Sequence, residues 1–339
     1  MNSRIVRFAL VAMAAALVVV IGVILAVSLP TPSRTPTVSP APATLPSATP
    51  SLPTQTYPGT LVVTRSEPGH NDHIYLVRSD GTAFRRLTSG PANDEHADWS
   101  PDGRRIAYSS LSGIWVMNAD GSGKTNLSRS DLDPYWSPDG KQILFSGEDA
   151  SVWVMNADGS GRRCVVSYDG GPPGLIQEPV PPQYATWAPS GAIVFVRVPS
   201  EGSSEPYPGG DLLAVNPDGT GLMWLTKGAG LILPSVSPDG RTIAAYVPKE
   251  DRIVTMPWQV GAAPVTLLAH ASRYFGNGGM PSSQWTSDGT KLVLGSSNYR
   301  EDGGAPLYIV NADGSGLTRI PHVKDAVDPD WRPAIGRGR

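Results

Sequence analysis

The sequence contains one cysteine, Cys164, among 339 residues. A single cysteine cannot form an intramolecular disulfide, so a folded domain must depend on its hydrophobic core, and a chain of this length is long enough to build one. Because Cys164 lies in the strand-like run 163–166, we expect its side chain to be buried.

The sequence also lacks a strong excess of either charge. It has 27 basic and 30 acidic side chains and a net charge of −3. This balance provides no basic surface of the kind that binds nucleic acid, so no nucleic-acid partner is expected.

Motifs of common enzyme classes are absent as well. There is no Gly-x-Ser-x-Gly, no His-Glu-x-x-His and no Gly-x-Gly-x-x-Gly that opens a helix. These motifs would supply a nucleophile, a zinc site and a dinucleotide site, so the sequence predicts no catalytic residue, no cofactor and no metal. Residues 121–125 look like the end of a phosphate-binding loop, but that motif needs a glycine where this chain has Asn118.

Two histidines, His70 and His73, lie close together around Asp72. Such side chains are able to ligate a transition metal, but their spacing fits no strong zinc signature. We therefore interpret this segment as a polar hairpin loop.

The first 58 residues differ in composition from the remainder. Residues 8–29 form a 22-residue run without a charged side chain, and Arg4 and Arg7 precede it. Such a run crosses a membrane as a helix, and the positive-inside rule places residues 1–7 in the cytoplasm and the later chain outside. The alternative is a cleaved signal sequence and a secreted protein. Residues 30–58 hold nine prolines among Thr, Ser and Ala and predict a disordered, semi-rigid stalk.

From residue 59 onward the chain repeats itself. Complete or altered copies of a Trp-Ser-Pro-Asp-Gly motif begin at Trp99, Trp136, Trp187, Val236, Trp285 and Trp331. Five steps cover the 232 residues from Trp99 to Trp331, a mean period of about 46 residues, which is typical of propeller blades.

Each motif is followed by an alternating apolar strand, then by a strand that ends in Asp-Gly, and then by a short strand. Asp-Gly supplies the positive φ of a tight hairpin, and a four-stranded blade buries its faces only by stacking against other blades. The sequence therefore predicts an all-β fold, a six-bladed β-propeller of four-stranded blades over residues 59–339, preceded by one transmembrane helix.

The two ends of the repeat region are incomplete. The last motif stops after one strand, and residues 60–65 form a strand that no motif precedes. We predict that the strand around Trp331 is the innermost strand of a blade whose other three strands come from residues 59–88. The recurring tryptophans are predicted to pack between neighbouring blades.

These repeats resemble the TolB-type, WD40-like (PD40) propeller repeat, whose signature is a Trp-Ser-Pro-Asp-Gly turn and a strand ending in Asn/Asp-x-Asp-Gly. The resemblance covers residues 59–333. It implies a propeller of six to eight blades, usually outside the cytoplasm, in a family that includes envelope scaffolds and the propeller halves of serine peptidases. The peptidase relatives carry a hydrolase domain after the propeller, whereas only residues 333–339 follow the final motif here.

One candidate binding surface is the face that carries the long loops. Loops between second and third strands and between blades share this face, and Tyr and Arg are common binding anchors. Its candidate residues are Tyr168, Tyr207, Arg273, Tyr274, Phe275, Tyr299 and Arg300. The alternative is tolerated surface variation, because loops accept insertions at little cost.

A second candidate surface is the mouth of the central channel, which residues before the inner strands are expected to face. Its candidates are Glu95, His96, Asp133 and Asp328. Carboxylates there would suit a cation such as Ca²⁺, but three blades contribute no acid, so ordinary solvated acids are the favoured interpretation.

The sequence thus favours a non-catalytic module that binds an envelope or extracellular protein, or a small ligand. The alternative is a propeller lyase or hydrolase that acts on envelope or extracellular glycans at the channel mouth, which would need titratable groups clustered there. A ligand sensor is a third interpretation, although residues 1–7 hold no signalling domain.

Overall fold

The computed structural model describes residues 59–65, 71–167, 182–198, 209–275, 280–296, 305–323 and 326–333. The predicted cytoplasmic segment, membrane helix and stalk (residues 1–7, 8–29 and 30–58) lie outside these ranges. Within the described ranges, no helix has the length and apolar character needed to span a bilayer.

The described residues form six four-stranded antiparallel sheets, which we call blades 1 to 6. Blade 1 contains, from the inside outward, β24 (Ala326–Trp331), β1 (Thr60–Arg65), β2 (His73–Arg78) and β3 (Arg85–Arg86). Blade 2 contains β4 (Asp94–Trp99), β5 (Arg105–Ser110), β6 (Gly113–Asn118) and β7 (Thr125–Asn126). Blade 3 contains β8 (Leu132–Trp136), β9 (Gln142–Ser146), β10 (Val152–Asn156) and β11 (Arg163–Val166).

The other three blades repeat this order. Blade 4 contains β12 (Pro182–Trp187), β13 (Ile193–Arg197), β14 (Asp211–Val215) and β15 (Met223–Trp224). Blade 5 contains β16 (Ile232–Val236), β17 (Thr242–Val247), β18 (Arg252–Pro257) and β19 (Val265–Ala269). Blade 6 contains β20 (Pro281–Trp285), β21 (Lys291–Ser296), β22 (Tyr308–Asn311) and β23 (Thr318–Arg319). A 3-10 helix (Pro248–Glu250) precedes β18, and the short helix α1 (Ser272–Phe275) lies between blades 5 and 6.

The inner strands β24, β4, β8, β12, β16 and β20 contact one another in a closed cycle. The predicted six-bladed propeller is therefore confirmed. The predicted closure is confirmed as well, because β1 pairs with β2 on one side and with β24 on the other, where Leu61 lies opposite Trp331. Beyond this pair, the Arg332 N–H donates to the Thr60 carbonyl at 2.9 Å.

The short turns explain why the motif repeats. In the first copy, the Ser100 hydroxyl donates to Asp102 Oδ1 at 2.6 Å, and Gly103 has a φ of 65°. The same carboxylate oxygen accepts the Arg104 N–H at 3.0 Å. The aspartate thus closes the turn, and glycine adopts the left-handed conformation at little cost.

The motif tryptophans pack between blades, as predicted. Trp99 is 3% exposed and lies in one cluster with Ile74 of blade 1 and Ile106 of its own blade. Trp331 likewise joins Val293 of blade 6 to Leu61 of blade 1. Each such ring packs between two sheets and contributes apolar burial that holds neighbouring blades together.

The prediction for Cys164 is wrong, because this side chain is exposed. Cys164 lies on β11, the outermost strand of blade 3, where the pairing register with β10 shifts. On that strand Val165 and Val166 are buried instead. A strand at the outer edge covers the core with only part of its length, so an apolar run does not fix which residue is exposed.

Candidate functional site

The centre of the ring holds a cavity of about 230 Å³ that all six inner strands line. Each strand contributes the residue three positions before its motif tryptophan or valine. These six residues are His96, Asp133, Tyr184, Leu233, Ser282 and Asp328. The predicted channel residues therefore lie within the inner strands rather than before them.

A local distortion recurs at this position in five of the six inner strands. The residue has a φ between 47° and 54°, and the register with the adjacent strand shifts there. These are β-bulges, which bend a strand and redirect a side chain. Blade 6 differs, since β20 pairs with β21 without a shift at Ser282.

His96 bridges two neighbouring blades of the ring. Its Nδ1 lies 3.0 Å from Asp133 Oδ1 of blade 3, and its Nε2 lies 3.4 Å from Asp328 Oδ2 of blade 1. The His96 side chain retains 34% exposure, so the bridge lies at the wall of an open cavity. One imidazolium between two carboxylates links three consecutive blades electrostatically.

This arrangement changes the acidity of its members. Burial disfavours the charged form of His96, but the carboxylates of Asp133, Asp328 and Glu95 outweigh this effect and raise its pKa to about 9. Burial raises the pKa of Asp328 to about 7, and the opposing attraction of His96 is smaller. His96 is therefore a cation at neutral pH, whereas Asp328 is only partly ionised.

Two more carboxyl groups lie directly before motif tryptophans and link blades to each other. The Trp99 N–H donates to Asp330 Oδ2 at 2.8 Å, and the Trp136 N–H donates to Asp98 Oδ2 at 2.7 Å. Burial raises the pKa of Asp330 to about 7, and burial together with the nearby Asp330 raises the pKa of Asp98 well above its usual range. The two groups therefore hold a proton more readily than ordinary surface acids do.

The opposite wall of the cavity carries no charge. Tyr184, Leu233 and Met280 line it with aromatic and aliphatic surface, and Ser282 and Gln284 add neutral polar groups. The cavity thus has an acidic half from blades 1 to 3 and an uncharged half from blades 4 to 6.

Comparison with known proteins gives one local sequence match and broad structural matches. No family model matches the chain. The Tol-Pal system protein TolB of Geobacter sulfurreducens is 42% identical over 73 residues, which span 20% of this chain and 16% of that relative. TolB of Acinetobacter baumannii has a TM-score of 0.62 at 16% identity, covering 81% of this chain and 67% of the other.

A putative TolB from Agrobacterium tumefaciens gives a TM-score of 0.57 at 16% identity, over 80% of this chain and 91% of the other. The described domain therefore has the β-propeller fold of these TolB structures, and a 73-residue stretch of the chain is similar to TolB in sequence. A structure of the nidogen/laminin complex also matches, with a TM-score of 0.57 at 12% identity over 81% of this chain and 98% of the other, so the fold extends beyond TolB proteins.

In this TolB-like propeller the four predicted channel residues are brought together, but not all of them line the cavity. His96, Asp133 and Asp328 do. Glu95 lies beside Asp72 rather than on the cavity wall. Burial raises the pKa of Glu95, although the charge of His96 opposes this shift.

The predicted loop-face residues divide into three kinds. Tyr168, Tyr207, Tyr299 and Arg300 lie outside the described residues. Arg273 is exposed on α1, and Tyr274 is half-buried with its ring edge against Tyr308. Phe275 is fully buried against the same ring, at 5.6 Å between centroids, so it belongs to the core of the TolB-like propeller.

Replacing Phe275 by alanine is expected to lower the free energy of unfolding by about 3 to 5 kcal/mol, because the change leaves a cavity in a closed core. The matched variant R273A on the same helix is expected to change it by less than about 0.5 kcal/mol. Urea unfolding followed by tryptophan fluorescence measures both variants. Equal effects would show that Phe275 does not act as a core residue.

One of the two predicted loop histidines lies in a strand rather than in a loop. His73 is buried in β2, and its Nδ1 lies 3.6 Å from Asp94 Oδ2, while His70 lies outside the described residues. Over the parts of the chain that are described, no group of three or more His, Cys, Asp or Glu side chains is arranged to hold a metal ion.

Sequence reasoning missed the roles of Asp98, Asp330 and Tyr184. A signal for the first two was available, because the pair Asp-Trp occurs only at residues 98–99 and 330–331 among the motif copies. Tyr184 occupies the channel position of blade 4, which aligning the motif copies residue by residue would have identified.

Proposed function

We propose that this chain is a non-catalytic binding module of the cell envelope, held at the outer side of a membrane by residues 8–29 and raised by the stalk of residues 30–58. The TolB-like fold supports a protein-binding role, since TolB is named as a Tol-Pal system protein. The apolar run and the Pro-rich stalk support the location. If the apolar run is cleaved, the propeller is secreted instead.

The observation that carries the proposal is the rigid ring with an open, charged cavity at its centre. The twenty-four strands of the described residues hold the wall residues in place, so a partner meets a preformed surface rather than a loop that must be ordered. The exposed Arg273 and half-buried Tyr274 lie on the segment between blades 5 and 6, on the face where the inner strands begin. A partner protein would contact this face and the cavity together.

Crosslinking capture with the full chain in a non-ionic detergent tests this function. The bait is compared with a variant that carries R273A and Y274A, and with a control that carries D139N in an exposed short turn on the opposite face. We expect a defined envelope protein to be captured by the unchanged bait and by D139N, and to be lost with the double variant. Equal capture by all three baits, or capture by none, would contradict a binding surface on the long-loop face.

A second candidate function follows from the clustered titratable groups in the cavity. We infer that a lyase or hydrolase would use Asp328, whose pKa of about 7 suits a group that both accepts and donates a proton. His96 suits this role less well, because both of its ring nitrogens face carboxylates. Incubation with envelope glycans, followed by measurement of new reducing ends or unsaturated products, tests it. Product formation that D328N abolishes would favour the enzyme.

A further inference from the structure

The cavity has more acidic than basic side chains in its wall. Asp98, Asp133, Asp328 and Asp330 line it together with His96, and the lining includes no lysine or arginine. Protonated His96 compensates one of the four carboxylates. Burial raises the pKa of both Asp328 and Asp330 to about 7, and the neighbouring carboxylates of Asp133 and Glu95 add to the shift of Asp328.

The uncharged half of the cavity provides apolar surface and a neutral polar group. Tyr184, Leu233 and Met280 present apolar surface across the cavity from the acids. Ser282 also lines the cavity, and its Oγ is buried and has no hydrogen-bond partner within the described residues. A buried hydroxyl without a partner is costly, so a ligand that donates a hydrogen bond at this point would be stabilised.

The shape and chemistry favour an organic cation over a metal ion. A hard cation such as Ca²⁺ needs six to eight oxygen ligands, and no group of the described side chains is arranged for a metal. Asp98 and Asp330 are also held by backbone N–H groups of tryptophans. A lysine or arginine side chain instead needs apolar surface for its stem and a few acceptors for its head.

We propose that the channel mouth receives one lysine or arginine side chain of the partner protein, with the cationic head between Asp133, Asp328 and Ser282 and the stem against Leu233 and Met280. This inference rests on the proposed binding function and specifies the chemistry of the partner. A cavity of about 230 Å³ admits one long side chain but not a folded domain. Arginine matches the carboxylates with several N–H donors in a fixed plane, and it is a frequent interface anchor.

Calorimetric titration of the full chain in non-ionic detergent tests the proposal with blocked peptides. The probes are Leu-Arg-Leu, Leu-Lys-Leu and the neutral match Leu-citrulline-Leu, at pH 8 and low salt. We expect saturable binding of the two basic peptides and at least about tenfold weaker binding of the citrulline peptide. D328N is expected to weaken binding of the arginine peptide about tenfold, and D133N serves as a second variant of the same site. D139N, in an exposed turn outside the cavity, should leave it unchanged.

The pH dependence gives a further readout. Protonation of Asp328 and Asp330 removes negative charge, so affinity for the arginine peptide is expected to fall between pH 8 and pH 6. The other titratable groups at the cavity are Asp98, Asp133 and His96, and Glu95 lies next to His96 behind the wall. D328N should reduce the fall in affinity for the arginine peptide between pH 8 and pH 6.

Three outcomes would overturn the inference: no saturable binding, equal binding of the arginine and citrulline peptides, or displacement by spermidine or CaCl₂ at lower concentration than the peptide requires. The last would assign the cavity to a small amine or a metal ion. If crosslinking captures a partner whose retention D328N and D133N leave unchanged, the binding function stands and the basic side chain is excluded. If capture fails while the arginine peptide binds, the cavity takes a cation without the proposed partner protein.

Discussion

A chain that ends at Val327 is expected to lose cooperative folding of all six blades, not only of the blade that loses its inner strand. The deletion removes the ring of Trp331, which packs against both blade 6 and blade 1. It also removes the Asp330 carboxylate that accepts the Trp99 N–H of blade 2. Removing a large buried aromatic alone costs about 3 to 5 kcal/mol, and the whole stability of a domain is about 5 to 15 kcal/mol.

Thermal unfolding followed by circular dichroism measures this effect. A chain that ends at Pro333 keeps the whole of β24 and is the control, expected to melt like the full chain. W331A is the intermediate case and should lower the melting temperature while leaving one transition. If the chain ending at Val327 melted at the temperature of the full chain, blade 1 would not close the ring.

The second large effect is a decline in stability as pH rises from 5 to 9. The pKa of Asp328 and of Asp330 is raised from 3.8 to about 7, and that of His96 from 6.5 to about 9. Each group therefore binds its proton more tightly in the folded state. The stabilisation that each group contributes is complete below its pKa in the unfolded state. It is lost as the pH rises through the pKa of the group in the folded state. The carboxyls act mainly between pH 4 and 7, and the histidine between about 6.5 and 9.

Because His96 is partly exposed, the total loss is expected to be on the order of 2 kcal/mol, less than the full pKa shifts would give. Urea unfolding at pH 5, 7 and 9 measures it. The turn aspartates have lowered pKa values, for example Asp139 through the Ser137 hydroxyl and the Lys141 N–H, so their contribution is lost only below about pH 4. The turn aspartates therefore do not affect the fall in the free energy of unfolding between pH 5 and pH 9.

H96N is the matched variant for this experiment. Asparagine tolerates the positive φ of 51° that His96 adopts, and it removes the charge without a backbone penalty. We expect H96N to lose the contribution of the histidine and, because His96 lowers the pKa of Asp328, to move the Asp328 part of the decline to higher pH. An unchanged profile above pH 7 would show that His96 is not the group that titrates there.

Much of the fold was predictable because its signals are local and repeated. Asp-Gly turns fix the hairpins, and the tryptophan at the end of five of the six inner strands sets the period. The closure followed from counting strands at the two ends. Cys164 was mispredicted because the core-facing side of an outermost strand depends on a register shift with β10 that no local pattern encodes.

The candidate site was predictable in part. The acids and His96 stood out as charged residues near the inner strands, and the structure brings His96, Asp133 and Asp328 into contact. The part that the sequence did not predict is geometric, because the bulge found in five of the six inner strands is a property of strand pairing and not of residue type. Phe275 was predicted as a binding residue because it is an aromatic residue in a loop segment. The structure instead packs its ring against Tyr308 in the core.

The closing strand β24 also determines when blade 1 is completed during synthesis of the chain. The three outer strands of blade 1 are complete by Arg86, but their inner partner begins only at Ala326. At usual rates of synthesis this interval lasts on the order of tens of seconds. During that time β1 presents an unpaired edge, which is a template for aggregation. The blade whose strands are made first is therefore finished last, and we expect its unpaired edge to favour aggregation until β24 is made.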